Sequence, residues 1–257
     1  MIKLILTDLD NTLLRSDKSI SAYTLQVLNE CHNQGILIGF ASARGESASA
    51  RFINAANPDV FISNGGATVT VNGKSIYEAT LSAETTDTIL SMCKKYTHSD
   101  ITAEAIDGYY CNFVPNDPDR RAASKYSDFS CFHKPVYKIT AELENPDWAA
   151  HIAHVCPECS TYQFSGENWH RFASKEARKE NAMRILADHL NLDQSSIAAF
   201  GDDINDLEML RNAGMGIAVA NAVPQVKQSA DHITDSNDED GVARFIAKHI
   251  LLSSDIH

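Results

Sequence analysis

From its N-terminus the chain alternates short apolar runs with segments whose apolar residues recur at helical spacing. Ile2-Lys-Leu-Ile-Leu-Thr7 reads as a buried strand, and a helix begins at Ser21, with Leu25, Leu28 and Cys31 on one face and Gly35 ending it. Ile36-Leu-Ile-Gly-Phe-Ala41 is a second buried strand. Strand, helix and strand in such close succession form the parallel crossover unit of an α/β domain. The rhythm returns late in the chain. Glu180 to Leu190 is helical in pattern, Ile197 to Phe200 a strand, Asp206 to Asn212 a helix, and Gly216 to Val219 a further strand of the same sheet.

Between these stretches, from Leu81 to Ala173, the pattern changes. A helix through Ile89, Cys93 and Tyr96 precedes strands at Ile101 to Ala105 and Tyr109 to Val114. A polar helix at Arg120 to Tyr126, a strand at Val136 to Leu143, a helix at Asp147 to Val155 and a hairpin of Thr161 to Phe164 with Trp169 to Phe172 complete it. The expected fold is therefore α/β, a parallel-sheet core of residues 1–80 and 174–257 into which an α+β domain, 81–173, is inserted. Neither an internal repeat nor a low-complexity tract interrupts it.

Composition narrows the function. The chain has 257 residues, 44% of them hydrophobic, enough for a sizeable core. Its 34 acidic and 22 basic residues give a net charge of −12, which argues against nucleic acid or an anionic membrane as partner. Any phosphate site must then be locally positive, built from a metal, a lysine and backbone N–H groups. Bilayer-spanning and signal-like stretches are absent from the sequence, so a cytoplasmic protein, monomeric or weakly dimeric, is the expectation. Of six cysteines only Cys156 and Cys159 are closely spaced. With no second ligand pair for zinc, they read as free thiols.

The chemistry gathers where the core strands end. Asp8-Leu-Asp-Asn-Thr-Leu13 follows the first strand, and Asp8 and Asp10 share one face of an extended segment with the N–H of Leu9 between them. Like charges held close call for a cation, and Mg²⁺ favours such hard oxygen ligands. Ala41-Ser-Ala-Arg44 follows the second strand, where a hydroxyl and N–H groups suit a phosphoryl oxygen. Gly201-Asp-Asp-Ile-Asn-Asp206 puts three carboxylates and an amide after a later strand, and Lys179 opens a helix. Taken singly, each is as readily a turn, a cap or a solvated charge.

Together the four segments resemble the haloacid dehalogenase superfamily in order and spacing, and within it the Cof-type sugar-phosphate phosphatases. Asp8 to Leu13 is similar to the first motif, Ser42 to the second, Lys179 to the third and Gly201 to Asp206 to the fourth. Ser63-Asn-Gly-Gly-Ala67 and Ser236 to Ala243 carry the Cof-type likeness, while Ser42-Ala-Arg-Gly45 stands for the commoner Thr-Gly-Arg-Pro and Asn11 for the commoner Gly. The resemblance implies a Rossmann-like core with an α+β cap, and hydrolysis of a small phosphorylated metabolite. It assigns Asp8 as nucleophile and Asp10 as general acid and base. Mg²⁺ would be held by Asp8, Asp10 and Asp202. Phosphate would be bound by Ser42, Lys179, Asn205 and the N–H groups of Leu9 and Ala43, with Asp206 in support. A phosphomutase, a narrow biosynthetic phosphatase and a non-catalytic phosphate sensor are the alternatives. Substrate choice would fall to the cap, with Tyr109, Tyr110, Arg120, Arg121, His133 and Lys134 as candidates.

Overall fold

The structure, a computed structural model, describes residues 1–96, 100–164 and 166–251. In chain order its elements begin with β1 (Leu4–Thr7), α1 (Ala22–Asn33), β2 (Leu37–Ala41), α2 (Glu46–Ala56), β3 (Val60–Ser63), β4 (Thr68–Val71) and β5 (Lys74–Glu78). Then come α3 (Ala83–Tyr96), β6 (Ile101–Ala105), β7 (Gly108–Cys111), α4 (Pro118–Ala123), β8 (Ser124–Tyr126), β9 (Val136–Glu142), α5 (Pro146–Val155), β10 (Cys159–Gln163) and β11 (Trp169–Ser174). The chain closes with α6 (Lys179–Leu190), β12 (Ile197–Gly201), α7 (Leu207–Asn212), β13 (Met215–Ala218), α8 (Pro224–Ser229), β14 (His232–Ile233) and α9 (Gly241–His249).

These divide into two compact units. The first holds Met1–Ala43, Ala50–Tyr77 and the chain from Arg178 on; the second holds Arg44–Ser49 and Glu78–Ala177. The inserted segment read from the sequence, 81–173, lies a few residues inside the second unit's main stretch.

In the first unit β1 is buried along its length because parallel neighbours flank it, β2 on one side and β12 on the other. The sheet order is β14-β13-β12-β1-β2-β3-β4-β5. The chain order therefore reverses at β1, and in open α/β sheets ligands bind at the carboxyl ends of the strands beside such a point. Register makes this concrete. Thr7 lies level with Phe40 and with Phe200, so Asp8 is one residue, and Ser42 and Asp202 two residues, beyond the same line. Ile5, Ile38, Phe40 and Phe200, all fully buried, form the core beneath that edge. Ser21 caps α1 by accepting from the N–H of Thr24 at 2.9 Å.

The second unit is a six-stranded sheet in the order β10-β11-β9-β6-β7-β8, antiparallel except for β7 with β8. Ile101, Ala103, Ile139, Ala141 and Phe172 form one apolar cluster with Ile89, Cys93 and Ile152 of α3 and α5. Alternation puts Thr102, Glu104, Lys138, Thr140 and Arg171 on the opposite face. Two sequence readings need correction here. The polar helix expected at Arg120–Tyr126 is α4, capped by Asp117, and stops at Ala123; Ser124–Tyr126 instead pairs along β7 as an edge strand. The strand expected at Tyr109–Val114 ends at Cys111.

Gly66, in the turn between β3 and β4, shows how closely the first unit is packed. It has φ +95°, and a Cβ there would lie 2.2 Å from the Arg178 carbonyl carbon and 2.7 Å from the Lys179 nitrogen. Gly66→Ala should displace the start of α6 and destabilise the protein by about 1–3 kcal/mol through overpacking and backbone strain, read as a lower urea midpoint. An unchanged midpoint would show that the α6 entry yields freely.

Candidate active site

Directly after β1 the chain makes a wide turn. The Leu13 N–H donates to the Asp8 carbonyl at 3.3 Å and the Leu14 N–H to the Leu9 carbonyl at 2.8 Å. Within it Asp10 is extended and Asn11 is left-handed, φ 57°. That conformation explains the residue found there, since asparagine tolerates the left-handed region better than other residues with a Cβ.

Lys179, the first residue of α6, is buried and donates from Nζ to Asp8 Oδ1 at 2.6 Å and to Asp206 Oδ1 at 2.5 Å. An ammonium at a helix N-terminus opposes the helix dipole, so the two carboxylates hold it there. Asp206 is saturated: its Oδ2 accepts the N–H groups of Asp202 at 3.1 Å and Asp203 at 3.2 Å. Gly201 makes room for it, because a Cβ at 201 would meet the Asp206 Cβ at 2.5 Å. Asp202 accepts from the Thr12 hydroxyl at 2.8 Å, and Asp10 from Lys18 Nζ at 2.8 Å.

Charge is unevenly compensated. Asp8, Asp202 and Asp206 offer carboxylate oxygens within 4.8 Å of one another. Burial, reinforced by the charges of Asp206 and Asp202, raises the Asp8 carboxyl well above its usual range despite the Lys179 ammonium. Burial and then Asp206 push Asp202 up to about 7. Burial works against the Lys179 ammonium, but Asp206 and Asp8 outweigh it and hold its pKa above the ordinary lysine range. Three carboxylates around one ammonium, all supplying hard oxygen donors, fit a divalent cation such as Mg²⁺.

The first unit brings most of the expected residues to one edge, with one difference. The clustered carboxylates are Asp8, Asp202 and Asp206, whereas the side chain of Asp10 is engaged by Lys18. Ser42 is buried beyond β2, its N–H donating to Ile62 and its carbonyl accepting from Gly65, both at 2.9 Å. Leu9 is buried and Ala43 half-buried. Asn205, in the helical turn Ile204–Asp206, keeps a buried Oδ1 that accepts no hydrogen bond among the described residues. Sequence reasoning assigned no role to Thr12 or Lys18; Thr12 stood inside the first motif, but nothing marked its partner 190 residues away.

The second unit's candidates divide differently. His133 and Lys134 pair with Asp87 at 2.6 Å and Asp107 at 2.5 Å near the surface, and Arg121 donates to the Pro115 carbonyl at 2.8 Å. Arg120 is exposed and Tyr110 half-buried. Tyr109 is buried, which pushes its hydroxyl up to about 12. The sequence did not single out Glu104 and Lys138, a buried pair at 3.0 Å, or the buried Arg171. Cys156 and Cys159 are free and buried, and burial raises both thiols, that of Cys159 to about 12, which leaves them protonated and unreactive.

The sequence profile of the haloacid dehalogenase-like hydrolases matches residues 5–246. The chain belongs to this family. It is 27% identical over 270 aligned positions to the 5-amino-6-(5-phospho-D-ribitylamino)uracil phosphatase YitU of Bacillus subtilis (strain 168), covering 97% of this chain and 98% of that protein. An HMP-PP phosphatase of Yersinia enterocolitica is 27% identical over 277 positions, covering 98% and 97%. Among solved structures, a haloacid dehalogenase-like hydrolase from Bacteroides thetaiotaomicron superposes with a TM-score of 0.82 at 25% identity, covering 96% of this chain and 98% of that one. One from B. subtilis gives 0.85 at 22% identity, covering 97% and 100%. The chain is thus a Cof-type enzyme of the superfamily, a phosphoric monoester hydrolase. Among the described residues no helix is long and apolar enough to cross a membrane.

The raised carboxyls give a signed prediction. Asp202 and Asp8 bind protons more tightly folded than unfolded, so their favourable contribution is present at low pH and lost as pH rises through about 7, the value of Asp202. In chelator the melting temperature should fall between about pH 6 and pH 8. Excess Mg²⁺ should restore it more at the higher pH. Melting curves at both pH values, with and without Mg²⁺, check this; equal stabilisation at both would contradict it.

Proposed function

We propose that this hydrolase is a Mg²⁺-dependent phosphatase of small phosphorylated metabolites, sugar phosphates among them, working through an aspartyl phosphate on Asp8. The observation that carries the reading is the Lys179 ammonium shared between Asp8 and Asp206 at the strand-end edge. A buried carboxylate beside a fixed cation suits a nucleophile, and a purely structural ion pair does not call for a third carboxylate, Asp202, beside it.

Asp8 and Asp202, whose carboxylates cluster, would hold the metal, and the carboxylate of Asp10, engaged by Lys18, is kept for proton transfer. Bound there, Mg²⁺ neutralises charge on nucleophile and phosphate and orients the phosphoryl group. Asp8 attacks phosphorus in line with the leaving alkoxide, so one difficult displacement becomes two easier ones. Asp10 gives a proton to the leaving oxygen and later takes one from the attacking water. Lys18 holds its carboxylate in orientation. Lys179, the Ser42 hydroxyl and the N–H groups of Leu9 and Ala43 stabilise the phosphoryl oxygens as charge shifts onto them. Asn205, whose buried Oδ1 accepts no hydrogen bond among the described residues, is the further side chain assigned to the same group. Asp206 orients Lys179 and does not react, since both its oxygens are already engaged.

The relatives support the substrate class. One acts on 5-amino-6-(5-phospho-D-ribitylamino)uracil and another on HMP-PP, and both match this chain over nearly its whole length.

With p-nitrophenyl phosphate and Mg²⁺, Asp8→Asn should lose on the order of a thousandfold or more in kcat, the scale for removing a nucleophile. Turnover near wild type would remove the covalent mechanism. Asp10→Asn should lose about a hundredfold. A screen of phosphorylated metabolites, reading released phosphate, tests the substrate class, and transfer to a second sugar phosphate without net release would favour a mutase instead.

A further inference from the structure

Two loops of the first unit carry the acids of the site: the turn after β1, with Asp8 and Asp10, and the turn after β12, with Asp202. A third segment, the turn Val219–Val223 between β13 and α8, contributes no acid and no motif residue, yet it is bonded to both. The Val223 N–H donates to the Asp202 carbonyl at 2.9 Å. Asn221 Nδ2 donates to the Asn11 carbonyl at 2.7 Å, directly after Asp10. The turn is itself closed by the Ala222 N–H on the Val219 carbonyl at 2.9 Å.

Asn221 is held from its other side. Its Oδ1 accepts the N–H of Asn237 at 3.0 Å, and the buried Asn237 amide donates to the Leu14 carbonyl at 2.9 Å. The same C-terminal segment grips the chain further along, with Asp240 on Arg15 at 2.7 Å and Asp238 on the Ser16 hydroxyl at 2.7 Å. Both polar atoms of Asn221 are therefore committed, one to each neighbour, which fixes the amide in a single orientation.

We infer that Asn221 is a positioning residue for phosphoryl transfer, setting the placement of Asp10 and Asp202 relative to each other through the Asn11 carbonyl. The peptide between Asn11 and Thr12 is planar, so a hydrogen bond on its oxygen fixes the plane and with it the start of Thr12. Thr12 then delivers its hydroxyl to Asp202 at 2.8 Å. On the other side the left-handed Asn11 sets the direction in which Asp10 leaves the turn. A residue with a Cβ in this region carries strain that persists only where the surroundings impose it. Asn221 is part of what imposes it.

The inference rests on the phosphatase reading for its kinetic consequence but not for its geometric one, and the test separates the two. Asn221 is exposed, so its variants should fold. Asn221→Ala removes both contacts, whereas Asn221→Asp keeps the acceptor for Asn237 and turns a carboxylate towards the Asn11 carbonyl. With p-nitrophenyl phosphate and Mg²⁺ both variants should lose roughly tenfold or more in kcat while KM stays within about twofold, and calorimetric titration should show Mg²⁺ affinity weakened on the same scale, as for other residues that orient metal ligands. Folded variants with wild-type kcat and wild-type Mg²⁺ affinity overturn the inference. If the wild type itself releases no phosphate, the phosphatase reading fails and Mg²⁺ affinity alone decides: weakening supports the positioning role, and parity, or a wild type that binds no Mg²⁺, removes it. Should neither variant fold, Asn221 is structural and the inference falls.

Discussion

The first unit is organised around one interaction, the Lys179 ammonium held between Asp8 and Asp206. All three groups are buried, and each alone would be expensive to take out of water. Their positions come from three separate stretches: the end of β1, the start of α6 and the turn after β12. Close approach is possible only because Gly66 admits the entry to α6 and Gly201 admits Asp206. Removing one partner of such a buried pair typically costs about 3–5 kcal/mol, because the other charges stay behind uncompensated. The same contacts thus bind the elements of the unit together and set the charges of its site.

The sequence displayed this arrangement unevenly, for physical reasons. Buried parallel strands such as Leu4–Thr7, Leu37–Ala41 and Ile197–Gly201 are continuous apolar runs, and the acids directly after them are conspicuous for that reason. Asp8, Ser42 and Asp202, each just past such a run, therefore stood out in advance, whereas Lys179 was reached only through the order of the four motifs. The contacts that separate Asp10 from Asp206 could not be read in advance. Both are acids near strand ends, and only the fold gives Asp206 two N–H donors and an ammonium while Lys18 engages Asp10. Thr12, Asn221 and Asn237 act through partners far away in sequence, a relation no local pattern records. The misread stretch at Ser124–Tyr126 has the opposite cause. It follows a genuine short helix, carries no apolar alternation, and becomes a strand only because β7 offers it an edge.

The second unit presents a contrast of faces. Its helix-covered face is an ordinary apolar core, and the alternate positions hold Glu104, Lys138 and Arg171, all buried. Burial lowers the pKa of both Lys138 and Arg171, and the carboxylate of Glu104 opposes that effect for Lys138. Ion pairs in such surroundings contribute little net stability compared with apolar residues of the same size.

The net charge of −12 makes the electrostatics of the first unit's edge decisive. A dianionic phosphate meets an acidic protein and then three clustered carboxylates. Burial favours the protonated, unreactive form of Asp8, yet it also strips water from the carboxylate proposed to attack. A divalent cation would resolve both conflicts, since it would favour the ionised carboxylate and cancel the repulsion between the proposed nucleophile and the substrate. Lys179 by itself does not suffice, because its one charge is already divided between Asp8 and Asp206. The chain therefore holds an incomplete charge set, one that binding a metal would complete. Activity, metal affinity and the pH dependence of stability would accordingly be three readings of the same imbalance.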